Sequence, residues 1–170
     1  MTQRNGFTLI ELVMVIVLIG ILAVVVAPRL GNVTGTNASA LKDKLRADLR
    51  YTQNLAMTRS QRYRMYLNAS PAPASGYAVV NDANADGWGT TGANEYAPDP
   101  AGGGPLLVTL NTGDFTGMTI GVPANGAGGF VEFNSLGSPT TGGVALIRVY
   151  ANGVAIGNDI TISAQTGAVN

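Results

Sequence analysis

GFTLIELVMVIVLIGILAVVVAPR, residues 6–29, decides how the rest of the chain is organised. From Phe7 to Ala27 every residue is apolar or small except Thr8 and Glu11. At about 1.5 Å per residue this run makes a helix about 31 Å long, close to the bilayer core of about 30 Å. Apolar side chains lie all round it, so such a helix must be covered on every side, by lipid or by other helices. A cleaved secretory signal fits poorly, because the run is too long and no small-x-small site precedes Pro28. A bare membrane anchor leaves Glu11 unexplained. A carboxylate costs about 2.5–3.5 kcal/mol at the centre of a membrane helix and less near an end.

Outward from this stretch, Pro28, Gly31 and Gly35 weaken the helix, and Pro28 with Arg29 is expected to end it. Periodicity then resumes. Leu41, Leu45, Leu49, Thr52 and Leu55 or Ala56 share one stripe, which predicts a helix from about Ala38 to about Arg59 covering a sheet. Lys44 and Asp48 form an i,i+4 pair expected on another face. The two helices are expected to form one long rod with a soft point in the middle. Beyond Arg59 the spacing becomes that of strands. Tyr63, Met65 and Leu67 alternate with Arg62, Arg64 and Tyr66. Further strands are expected at Tyr77–Val80, Leu106–Leu110, Met118–Val122, Phe130–Phe133, Val144–Tyr150 and Val154–Ile162, with a tight turn at Asn152-Gly153. The fold class is therefore α+β: a long hydrophobic N-terminal helix whose C-terminal half packs on an antiparallel β-sheet head. The expected divisions are 1–6, 7–28, 29–60 and 61–170.

Composition narrows the chemistry. The chain has 170 residues with no cysteine and no histidine, which removes disulfides, thiolate and Ser-His-Asp catalysis and the usual zinc ligands. No phosphate-binding loop is present, and an enzyme is not expected. Net charge is zero but segregated. Between Phe7 and Arg64 eight bases face three acids, and from Met65 onward seven acids face Arg148 alone. A basic stem could dock an acidic head of another copy; two solvated faces are the plainer alternative.

Gly6-Phe7-Thr8-Leu9-Ile10-Glu11-Leu12 resembles the class III signal of type IV pilins and type II secretion pseudopilins. The resemblance implies that residues 1–6 are a leader, removed between Gly6 and Phe7 by a prepilin peptidase that also N-methylates Phe7. It implies a single-pass protein of the bacterial inner membrane with a periplasmic head, which then enters a filament with other subunits and meets an assembly platform protein. It also implies that Glu11 pairs with the Phe7 amine of a neighbouring subunit. The physics agrees: in a dry bundle that attraction is stronger than in water, and any other register buries an unpaired carboxylate. The family's helix can loosen between Gly20 and Pro28 on assembly; a simple stop at Pro28 is the alternative.

Leu49-Arg50-Tyr51-Thr52-Gln53-Asn54-Leu55-Ala56-Met57 and the Arg62–Leu67 strand resemble minor pseudopilins of the general secretion pathway H type, and the ending, Val149-Tyr150-Ala151-Asn152-Gly153 then Ile160-Thr161-Ile162 and Thr166-Gly167, is similar to that family's C-terminal hairpin. That implies a subunit near the filament tip. A major pilin is the alternative, disfavoured by the missing C-terminal disulfide; a DNA-binding minor pilin is the lesser one. Nucleic acid is not expected as a partner. The one candidate patch for it is Arg59, Arg62 and Arg64 with Tyr63 and Tyr66.

Asp82-Ala83-Asn84-Ala85-Asp86-Gly87-Trp88 fits the first half of a calcium loop, with side-chain oxygens of Asp82, Asn84 and Asp86 and the Trp88 carbonyl. The twelfth position is Ala93, so Glu95 would have to substitute. A plain Asx-rich turn is the favoured reading over calcium.

Overall fold

A computed structural model describes residues 8–30, 33–82, 88, 95–122, 129–140 and 146–170, with the backbone alone at 24–30 and 33–34. The chain divides into two compact units, Met1–Thr36 and Asn37–Asn170.

Helix α1 spans Leu9–Leu30. It runs past Pro28 instead of stopping there, because a proline in the last turn gives up one backbone bond near an end that frays anyway. Helix α2 spans Val33–Arg59 and starts earlier than the apolar stripe predicts. Gly35 lies inside it; a helical glycine costs about 0.8–1.0 kcal/mol, too little to stop a 27-residue helix. The joint at residues 31–32, on which the expectation of a single rod rests, lies outside the described residues. At its end α2 closes with a Schellman motif. Gln61 N–H donates to Ala56 O at 3.1 Å, Ser60 N–H donates to Met57 O at 3.4 Å, and Ser60 sits at φ +52°.

The face of α2 that points inward carries Ala38, Leu41, Leu45, Leu49, Thr52, Leu55 and Ala56, as the spacing predicts. Each fully buried leucine contributes about 1.5–3 kcal/mol of transfer free energy. Among the described residues eight strands follow: β1 Tyr63–Leu67, β2 Gly76–Asn81, β3 Leu107–Thr109, β4 Met118–Gly121, β5 Gly129–Phe133, β6 Leu146–Ala151, β7 Val154–Ala155 and β8 Ile160–Thr161. They form two antiparallel sheets, one ordered β3-β2-β1-β5 and the other β4-β6-β7 with β8 also on β6. The stretch expected as one strand at Val154–Ile162 is two short ones, separated by a turn with Gly157 at φ +61°. Asn152 and Gly153 at φ +50° and +80° make the predicted hairpin turn. Gly76 is required at the head of β2, where a Cβ would collide with the Val108 carbonyl. The main core lies under α2 and includes Tyr63, Met65, Leu67, Tyr77, Phe133, Ile147 and Ile160.

One expectation changes. Asp48 is not on an outer face; it is 4% exposed and turned toward the sheet. There it accepts a 2.6 Å bond from the Tyr77 hydroxyl and a 3.0 Å bond from Lys44. Burial of Tyr77, and next the Asp48 charge beside it, push the phenol's ionisation far above its ordinary range. The first sheet is also covered on both faces. On its outer side Val80, Arg64 and Glu132 lie abreast, as do Ala78, Tyr66 and Phe130. Tyr66, Ala72, Ala78 and Val80 form a second small cluster there with Trp88, Tyr96 and Phe130.

Candidate assembly site

The start of α1 is built by Thr8 and Glu11. Thr8 is the N-cap: its carbonyl accepts the first helical bond, from Leu12 N–H at 3.2 Å. Its hydroxyl oxygen accepts Glu11 N–H at 3.3 Å. In return Glu11 Oε2 accepts the Thr8 N–H at 3.4 Å and the Thr8 hydroxyl at 3.3 Å. This is a capping box, T-x-x-E, which satisfies backbone donors that an α-helix leaves open at its N-terminus. The helix macrodipole also favours a negative charge in the first turn. Glu11 thus has partners inside its own chain, a role that the T-x-x-E spacing carries but that the apolar run around it obscures. All four groups are exposed, and distances of 3.3–3.4 Å are at the long limit for hydrogen bonds, so this arrangement is cheap to exchange.

Beyond the cap, α1 offers no polar side chain among the described residues. Leu9, Ile10, Leu12, Val13, Met14, Val15, Ile16, Val17, Leu18, Ile19, Ile21 and Leu22 are all between 41% and 81% exposed. An uncovered apolar surface on every side of a helix marks it for contact with lipid or with other chains. Among the described residues no helix is long and apolar enough to cross a membrane. Described side chains on α1 end at Ala23, about 21 Å from Leu9, so the full run to Ala27 lies partly outside that set. A Cβ at Gly20 would meet nothing within 4 Å, and the Pro28 side chain is outside the described residues. So are Gly6 and Phe7.

The second candidate, the loop after β2, is seen at three points. Asp82 and Trp88 are half-buried and Glu95 is buried, its carbonyl accepting Asn81 N–H at 2.9 Å. Asn84 and Asp86 lie outside the described residues. Among the described residues no group of three or more potential ligands is placed to hold a metal ion.

Of the basic patch, Arg59 and Arg62 are exposed and Arg64 is turned inward. Arg64 donates to Glu132 at 2.5 Å, and its guanidinium carbon lies 4.2 Å from the Trp88 ring centre and 4.1 Å from that of Phe130. Arg62 reaches the other Glu132 oxygen at 3.4 Å. Tyr63 is in the main core and Tyr66 in the second cluster, so neither offers a ring for a base to stack on. Elsewhere Arg148 holds Asp159 through two hydrogen bonds, which keeps the Asp159 carboxyl below its ordinary range. One acid of the head, Glu132, is thus met by Arg62 and Arg64 of the basic stretch within one copy.

A family model described as the prokaryotic N-terminal methylation motif matches residues 1–27. No curated protein matches the chain. Among solved structures, the crystal structure of the type IV minor pilin FimU from Pseudomonas aeruginosa (strain PAO1) is similar at 15% identity. The match covers 79% of this chain and 89% of that one, with a TM-score of 0.45. The chain thus carries an N-terminal methylation motif, the type IV pilin signal, ahead of an α+β head.

Proposed function

We propose that this chain is a structural subunit of a type IV pilus or type II secretion pseudopilus, assembled through packing of α1 against α1 of other copies. The observation that carries the reading is Glu11, a single exposed carboxylate in the apolar run of α1, capped loosely by Thr8 and lying within the methylation motif. In the free subunit Glu11 closes its own helix. After cleavage at Gly6-Phe7 and methylation of Phe7 by a prepilin peptidase, the Phe7 amine of a neighbour competes for the same carboxylate. A cap of this kind is worth only about 1 kcal/mol, so little is lost in the exchange, whereas a register that leaves Glu11 buried without the amine is strongly disfavoured. Before that exchange the subunit sits in the inner membrane by α1, with the head in the periplasm, and an assembly platform protein extracts it.

Within this class we place the chain with minor subunits of the general secretion pathway H type, on the resemblance of Leu49–Met57 and the C-terminal hairpin. The hairpin is fastened to α2, which supports treating the two as one unit. Arg50 donates to Val169 O at 2.9 Å, and Gln53 to Gly137 O at 2.8 Å and Thr166 O at 3.1 Å.

Two substitutions test the proposal. Gly6→Ala is expected to leave the precursor uncleaved, as read by the mass of its N-terminus. Glu11→Ala is expected to be cleaved and inserted normally but to be missing from sheared filaments. Normal incorporation of both variants refutes the proposal.

A further inference from the structure

The outer face of the first sheet is closed by a cluster separate from the main core. Only Tyr66, Ala72, Ala78 and Val80 are buried in it, and Trp88, Tyr96 and Phe130 are half-covered. What closes it is polar and centred on Arg64. This side chain bonds Glu132 at 2.5 Å, donates to the Tyr66 hydroxyl at 3.0 Å, and lies against the rings of Trp88 and Phe130. Tyr66 passes the connection on, its hydroxyl donating to the Trp88 carbonyl at 3.2 Å. Arg62 adds a second, looser approach to Trp88 at 5.5 Å and is 57% exposed. Among the described residues Trp88 is thus held to the sheet by Arg64, Arg62 and one hydrogen bond, and it packs half-covered on a cluster much smaller than the main core. Glu132, 3% exposed, is tolerable there because two guanidiniums meet it.

Units with few buried apolar contacts open at lower free energy than the core they rest on. We propose that Arg64 and Trp88 form a latch that opens as a local unit and uncovers Tyr66, Ala78, Val80 and Phe130 while the core under α2 stays folded. Arg64 is the positioning residue. A lysine cannot replace it, because a point charge gives neither the stacked plane nor the forked donors.

Trp88 is the single tryptophan, so its emission reports this place alone. The experiment is a urea titration of the full chain in detergent micelles, following Trp88 emission and far-ultraviolet circular dichroism together. Arg64→Ala is expected to move the emission midpoint to lower urea than the dichroism midpoint. It is also expected to raise acrylamide quenching of Trp88 about twofold or more in the absence of urea, as local opening requires. Arg64→Lys and Tyr66→Phe should act in the same direction, and they keep the test decisive if Arg64→Ala does not fold. Coincident midpoints in the wild type and in every folded variant, or unchanged quenching in them, overturn the latch.

Discussion

Each helix of this chain carries an acid among apolar residues, and the two acids are handled in opposite ways. On α1, Glu11 is exposed at the first turn and, among the described residues, is met by Thr8 alone, through long bonds. On α2, Asp48 is buried mid-helix and met by Tyr77 and Lys44 at 2.6 Å and 3.0 Å. Side chains around Glu11 are 41–81% exposed on every side, whereas Leu41, Leu45 and Leu49 near Asp48 are fully buried. Asp48 therefore belongs to a finished interface within one molecule. Glu11 sits on a surface that still lacks its cover, and its loose bonds suit a group that changes partners.

The strongest way to break this contrast is a pair of matched truncations. Leu45→Ala should lower the stability of the head by about 2–5 kcal/mol, as a buried leucine does. Leu18→Ala on α1 should leave head unfolding in urea unchanged while reducing filament yield. Equal effects on unfolding would erase the distinction between the helices. Next in size is Asp48→Ala, which leaves the Tyr77 hydroxyl buried without its acceptor and should cost about 1–3 kcal/mol in the same measurement. Glu11→Ala should cost the head nothing.

Much of this was legible beforehand, and the misses have a common cause. The apolar run, the α2 stripe and the Asn152-Gly153 turn are local patterns, and the structure places α1, α2 and that turn accordingly. Lys44 and Asp48 also form a local pattern, an i,i+4 surface pair, but Tyr77, 29 residues further on, draws Asp48 inward. Arg64 and Tyr66 alternate with core residues, a spacing that gives the strand but not what covers its other face; Trp88 and Phe130 reach them there from distant segments. The Thr8-x-x-Glu11 cap could have been found from spacing alone, since a capping box is a local signature. For Gly6, Phe7, Asn84 and Asp86 the structure gives no geometry.

Finer effects sharpen the same comparison. The Tyr77 phenol ionises near pH 10.0 in an unfolded chain and well above that in the head, so its contribution is fully present below about pH 10 and is lost as pH rises beyond it. Urea midpoints should therefore fall between pH 9 and 11, and the fall should be shallower in Tyr77→Phe, at roughly those values. The smallest effect belongs to Thr8→Ala, expected to cost α1 about 1 kcal/mol of helix stability, seen as faster amide exchange in its first turn. Exchange unchanged there would mean that the cap does not hold Glu11.

The most direct measurement uses the absence of cysteine from the chain. Copies carrying Ile10→Cys are expressed together with copies carrying Met14→Cys, an offset of four residues that matches the separation of Phe7 and Glu11. The account predicts a disulfide between the two kinds of copy in assembled filaments, and its loss when Glu11→Ala is added to both. A mature, leader-free population in which no such bond forms between copies, or in which it forms equally well without Glu11, would contradict it.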